Sequence, residues 1–154
     1  MLIHRTTALN DNQIAQIHQL WNEEYPTNLY GRFSILLNET ENHRHFYITN
    51  DYDEIIAWCV LFENEGQDRF SIIVSSKTKG MGFGKILLDE MKAEVPEFSG
   101  WVIDHENDVL QSGEKYRSPI GFYLKNGFEI VPEERLETSI ISCVKVTWKK
   151  KIFL

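Results

Sequence analysis

The sequence predicts a mixed α/β domain, a β-sheet flanked by helices, and three observations carry that expectation. Apolar strand-like runs pair as hairpins in the first half of the chain, one strand–helix–strand unit occupies the middle, and a second hairpin closes it. At 154 residues, with 42% hydrophobic and 25% charged residues, a single domain over 1–154 is expected, large enough to bury a core without covalent staples. No repeat, low-complexity segment or linker interrupts it.

Each element has its own signal. Residues 2–6 read as the first strand. Asn10 or Asp11 opens a helix whose apolar face is Ile14, Ile17, Leu20 and Trp21, and it must end before Pro26. A shorter helix is expected over 32–37. Two apolar runs, 45–49 and 55–62, are strands joined by the turn 50–54, and the second is apolar enough to be central. A strand at 70–75, a helix over about 82–94 and a strand at 100–104 follow. Next comes a short, fully punctuated helix: Ser118 suits its cap, Pro119 its first position, and Gly127 the left-handed residue past its end. Strands at 128–131 and 139–148 complete the chain.

The most informative stretch is Lys79-Gly80-Met81-Gly82-Phe83-Gly84-Lys85, between the 70–75 strand and the helix beyond it. A glycine-rich turn feeding a helix N-terminus offers unpaired backbone N–H groups at the positive end of the helix dipole, an arrangement that binds phosphate. The two familiar nucleotide spacings fail. No glycine stands five before Gly84 and Ile86 follows Gly84-Lys85, so this is no P-loop; the third glycine comes one residue early for a dinucleotide fingerprint.

With the later helix, the stretch resembles the GNAT superfamily of acyl-CoA-dependent N-acyltransferases. The family's phosphate loop, Q/R-x-x-G-x-G/A, is matched by Lys79 through Gly84 with lysine in the first place, and its Y-x-x-x-G-F helix by Tyr123 through Gly127-Phe128. The resemblance implies a mostly antiparallel mixed sheet whose central strand pair splays apart, with the pantetheine arm of acetyl-CoA, or another short acyl-CoA, lying in the gap. Lys79, Gly80, Met81, Gly82, Phe83, Gly84 and Lys85 would then hold the cofactor's phosphates. A backbone N–H at Val74 would stabilise the oxyanion, and Tyr123 would protonate the leaving thiolate. Asp104 or His105 would take the proton from the attacking ammonium, with Glu106 and Asp68 in reserve, or a water chain would serve instead. The family's usual asparagine and alanine, seven and four positions before the tyrosine, are replaced here by Tyr116 and Pro119. The long polar stretch 105–117 suggests a lid or an acceptor-binding element.

The expected activity is direct acetyl transfer to a primary amine in a ternary complex, without metal. The alternative is a domain that binds acyl-CoA as a sensor. Glu23, Glu24, Tyr25, Tyr30 and Phe33 place carboxylates and aromatics where a cationic acceptor, a small amine or a protein amino group, could sit. His43-x-His45 lacks a third ligand for a metal. A net charge of −7 argues against nucleic acid, and no run suits a signal peptide or a membrane span. Cys59 and Cys143 sit in apolar runs, read as buried free thiols of a cytoplasmic protein and as unsuited to carrying an acyl group. The C-terminal strand could pair across a homodimer.

Overall fold

The computed structural model describes residues 2–152, so the two ends of the domain expected over 1–154 lie outside the described residues. Seven strands form one sheet: β1 (Leu2–Thr6), β2 (Glu41–Thr49), β3 (Ile55–Asn64), β4 (Gln67–Val74), β5 (Glu97–Val102), β6 (Glu129–Glu137) and β7 (Ser142–Lys149). Their order is β1-β2-β3-β4-β5-β7-β6, and every neighbouring pair is antiparallel except β4 with β5. Among the described residues no helix is long and apolar enough to cross a membrane.

Strand alternation divides the core. Phe46, Ile48, Cys59 and Leu61 face one side of the sheet, where α2 (Phe83–Glu94) lays down Leu87, Leu88 and Met91. Tyr47, Trp58, Val60 and Phe62 face the other, where α1 (Asp11–Glu24) contributes Ile17, Leu20 and Trp21. Asn10 starts α1 with a reciprocal capping box: its side chain accepts from Gln13 N at 2.8 Å, and the Gln13 side chain accepts from Asn10 N at 2.9 Å. Ile14, expected on the buried face, is 41% exposed.

The helix expected over 32–37 is instead a pair of short 3₁₀ turns, Thr27–Leu29 and Arg32–Ile35. A segment this short takes the path its tertiary contacts set. Phe33 supplies the main one, edge-on to Trp58 with ring centroids 5.4 Å apart. β5 begins three residues earlier than expected and takes Gly100 into its interior. A Cβ there would lie 2.7 Å from the Phe70 ring, so the glycine makes room for a side chain of the neighbouring β4 rather than marking a strand start. α3 (Ile120–Lys125) starts one residue later than expected: Pro119 is its N-cap and not its first position, and Ser118, expected as the cap, stands before it, donating to Ile103 O at 2.7 Å and accepting from Ile120 N at 3.4 Å.

Candidate active site

β4 and β5 begin side by side and then part. Their one registered pair is Arg69 with Ser99, fastened by a hydrogen bond from Arg69 Nη1 to Ser99 Oγ at 2.7 Å. The β3–β4 hairpin turns on two residues, and Ser75 N donates to Ile56 O at 2.9 Å. Antiparallel pairs alternate between exchanging hydrogen bonds and not, so Phe70, Ile72 and Val74 turn their backbone N–H and C=O groups away from β3 and toward the gap. Tyr25 Oη, on the α1 side, donates to Ile72 O at 3.0 Å, and burial pushes its pKa up. The N–H of Val74 therefore points into a cleft of about 1070 Å³ that runs between the two strands.

At the top of β4 the chain passes through Gly80 and Gly82, with φ of 80° and 79°, before entering α2. Both are in the left-handed region that glycine tolerates best, and nothing lies within 4 Å of where a Cβ would stand. The first-turn N–H groups of Phe83, Gly84 and Lys85 have no acceptor within the helix. Gly84 meets α3: a Cβ there would be 2.9 Å from Phe122 Cζ. Lys79, Gly80, Gly82, Phe83, Gly84 and Lys85 line the cleft, whereas the exposed Met81 lines a separate hollow of about 820 Å³ between α1, the 50–54 turn and the loop. Lys85 Nζ lies 2.8 Å from Asp89 Oδ2, one helical turn on. Bare backbone, open glycines and an unpaired N–H row fit a pyrophosphate, and the parted strands fit an extended arm continuing from it.

Tyr123 comes to the same cleft from α3. Its ring packs against Phe70, Phe122 and Phe128, and its hydroxyl has no hydrogen-bond partner among the described residues. Burial pushes its pKa well above the ordinary tyrosine value, so it carries a proton at neutral pH. Asp104 and His105 are placed otherwise. Asp104 accepts two hydrogen bonds from Arg135, at 2.8 and 3.0 Å, and that guanidinium holds its pKa below the usual carboxylate value. His105 Nδ1 accepts from Asn107 N at 3.1 Å, and its Nε2 lies 3.9 Å from Asp108 Oδ2. Neither side chain is on the cleft wall.

Of the residues expected around a cationic acceptor, Glu24 and Tyr25 line the cleft, and Glu24 Oε2 is engaged by Ser76 N at 2.9 Å. Glu23 lines the separate hollow, Tyr30 is exposed and Phe33 is core. The 105–117 stretch folds into a miniature hairpin with a bridge between Val109 and Lys115, and Thr27 N donating to Val109 O at 2.9 Å pins it beside α1. It delivers Tyr116, buried, to the cleft wall beside Cys143. Cys143, expected only as a buried thiol in an apolar run, thus reaches the site, but burial pushes its thiol up to about 12 and keeps it protonated. Arg69 was not anticipated either. Its place on the wall depends on the pairing with β5, thirty residues on, which no local pattern announces.

A family model described as "Acetyltransferase (GNAT) domain" matches residues 41–130. Solved structures share the fold at low identity. Escherichia coli ElaA superposes with a TM-score of 0.66 at 16% identity, over 97% of this chain and 100% of that one. A variant of the spermidine N-acetyltransferase SpeG from Vibrio cholerae gives 0.61 at 15%, over 97% and 95%. The ribosomal-protein-S18-alanine N-acetyltransferase from Escherichia coli gives 0.64 at 14%, over 99% and 96%. No curated protein matches the sequence.

Proposed function

The chain belongs to the GNAT acetyltransferase family, and on that premise we propose that it transfers an acetyl group from acetyl-CoA directly to a primary amine. The observation that carries this reading is the meeting of two groups in one cleft: a β4 backbone N–H at Val74 facing the strand gap, and a protonated, unpartnered Tyr123 hydroxyl. When bound, acetyl-CoA supplies an activated thioester. The open N–H groups from Gly82 to Lys85 and the cations of Lys79 and Lys85 hold its phosphates at the end of α2. Val74 N–H lies where charge develops on the carbonyl oxygen, and Tyr123 donates its proton to the departing sulfur.

The amine must lose a proton before attack. Asp104 is made less basic by Arg135, and neither it nor His105 faces the cleft, which favours deprotonation through water in the open cleft. Protonated, buried thiols at Cys59 and Cys143 favour transfer without an acyl-enzyme, and fit a reducing cytoplasm. By their names, the similar enzymes above act on spermidine and on a ribosomal protein, so a small amine and a protein amino group are both within the reading.

The test is calorimetric titration with acetyl-CoA, followed by thiol release across an amine panel. Tight binding and initial-rate lines that intersect are expected. Parallel lines would mean an acyl-enzyme, and binding without turnover on any small amine or peptide would leave an acyl-CoA sensor.

A further inference from the structure

The acceptor's class can be read from the face of the cleft opposite α2, the side from which an amine must approach if the transferase reading holds. Alternation along β4 puts Arg69, Ser71 and Ile73 on that face, below the Tyr25 hydroxyl, which is 3.0 Å from Ile72 O and 3.4 Å from Ser71 Oγ. The walls around them are mostly apolar, with Leu29, Leu36, Tyr116, Leu136 and Ile141, and carry Asn38, Thr40, Asn64 and Arg117 among these. Two of the three acidic side chains nearby are engaged, and the third is solvent-exposed. Glu24 caps Ser76 N, Asp68 is paired with Arg44 at 2.9 Å, and Glu65 sits in the exposed β3–β4 turn.

Arg69 is different. It is half-buried and lines the cleft, and it donates only to neutral oxygens, Ser99 Oγ at 2.7 Å and Gln67 Oε1 at 2.9 Å. No carboxylate lies within 4.0 Å of it among the described residues. A partly desolvated guanidinium without a counter-charge is unfavourable unless something brings one, and its planar fork matches a carboxylate in two-point contact. Five residues of β4 separate Arg69 from Val74, about 16 Å at a strand's rise, and the arginine side chain can span part of that distance.

We infer that the acceptor is an amine on an apolar body with an anionic group at its far end, held by Arg69, and not a polyamine. Three eight-carbon probes separate the possibilities with one apolar chain: 8-aminooctanoate, octylamine and 1,8-diaminooctane. Thiol release should favour the amino acid over the diamine by at least ten-fold in kcat/KM. Arg69→Gln should bring that ratio close to one, and Arg69→Lys should restore part of it. An arginine that merely fastens β4 to β5 would change all three probes alike. A preference for the diamine, or an unchanged ratio in Arg69→Gln, overturns the inference.

The inference is also read without turnover, by calorimetric titration of octanoate and octylamine into wild type and Arg69→Gln, with CoA present and absent. Octanoate should bind at least ten-fold more tightly than octylamine to the wild type alone. Equal affinities, or no octanoate binding, overturn it. Failure of acetyl-CoA itself to bind counts against the transferase reading and leaves the octanoate comparison standing as the measure of Arg69.

Discussion

Replacing Gly82 with aspartate tests the phosphate loop with a built-in control. Gly82 precedes the first turn of α2 at φ 79°, with open space where a Cβ would stand. Any L-residue there carries backbone strain of about 1–2 kcal/mol, and Gly82→Ala carries that strain without charge. Aspartate adds a carboxylate in front of the N–H groups of Phe83, Gly84 and Lys85. At roughly 5 Å from one phosphate charge, with an effective dielectric between about 20 and 80, the repulsion is roughly 1–3 kcal/mol. That corresponds to a CoA affinity about 5- to 150-fold weaker in Gly82→Asp than in Gly82→Ala. Both variants should melt below or near wild type, and Gly82→Asp no lower than Gly82→Ala, since its carboxylate faces the same N–H groups. Calorimetric titration of all three with CoA at low and at moderate salt is the assay, and the gap between the variants should shrink as salt rises. Equal CoA affinity in the alanine and aspartate variants would refute the assignment of phosphates to this loop, whatever either variant did to stability.

Three further outcomes are expected. Tyr123→Phe should lower kcat by about a hundred-fold or more with CoA affinity retained, since general acid catalysis is typically worth about 10²–10⁴ and the hydroxyl has no protein partner to lose; steady-state kinetics beside calorimetry checks it. Asp104→Asn should leave kcat within about two-fold and lower stability by less than about 1 kcal/mol, because its pair with Arg135 is solvent-exposed. The depressed Asp104 pKa means that this contribution is present above the ordinary aspartate pKa and fades as pH falls through the folded value, which melts between pH 2 and 7 would follow. His45, 3% exposed, accepts from Trp58 Nε1 at 3.0 Å, and burial lowers its pKa to about 4. The folded protein therefore resists protonation between about 6.5 and 4, so stability should fall as pH drops through that window, and His45→Gln should flatten the slope in thermal melts.

The parts of the fold legible in the sequence are those set by local chemistry. The capping box at Asn10 and Gln13 and the stop at Pro26 bound α1 within one residue of expectation. The glycine loop was legible for the same reason, because a left-handed backbone at Gly80 and Gly82 must be written as glycine. What escaped was set at a distance. Gly100 reads locally as a break, yet it belongs inside β5 because the Phe70 ring, thirty residues earlier, occupies its Cβ position. The pair of 3₁₀ turns after α1 follows the burial of Phe33 against Trp58 and not any periodicity of its own. Asp104 looked like a free carboxylate at a strand end, since nothing near it in sequence announces Arg135.

The same distinction explains how the gap can exist. A strand that parts from its neighbour leaves a row of polar backbone groups facing an apolar cleft, and each unsatisfied one is costly. Here Tyr25, reaching Ile72 O from α1, satisfies one member of the row, and the side-chain bond from Arg69 to Ser99 stands at the end where β4 and β5 still pair. Both contacts join residues thirty or more positions apart in sequence. The N–H groups of Ile72 and Val74 are left facing the cleft, Val74 next to the turn that leads into the glycine loop. The backbone left open is thus the stretch that the proposed chemistry needs, and Arg69 lines the same cleft at the end where the strands still pair.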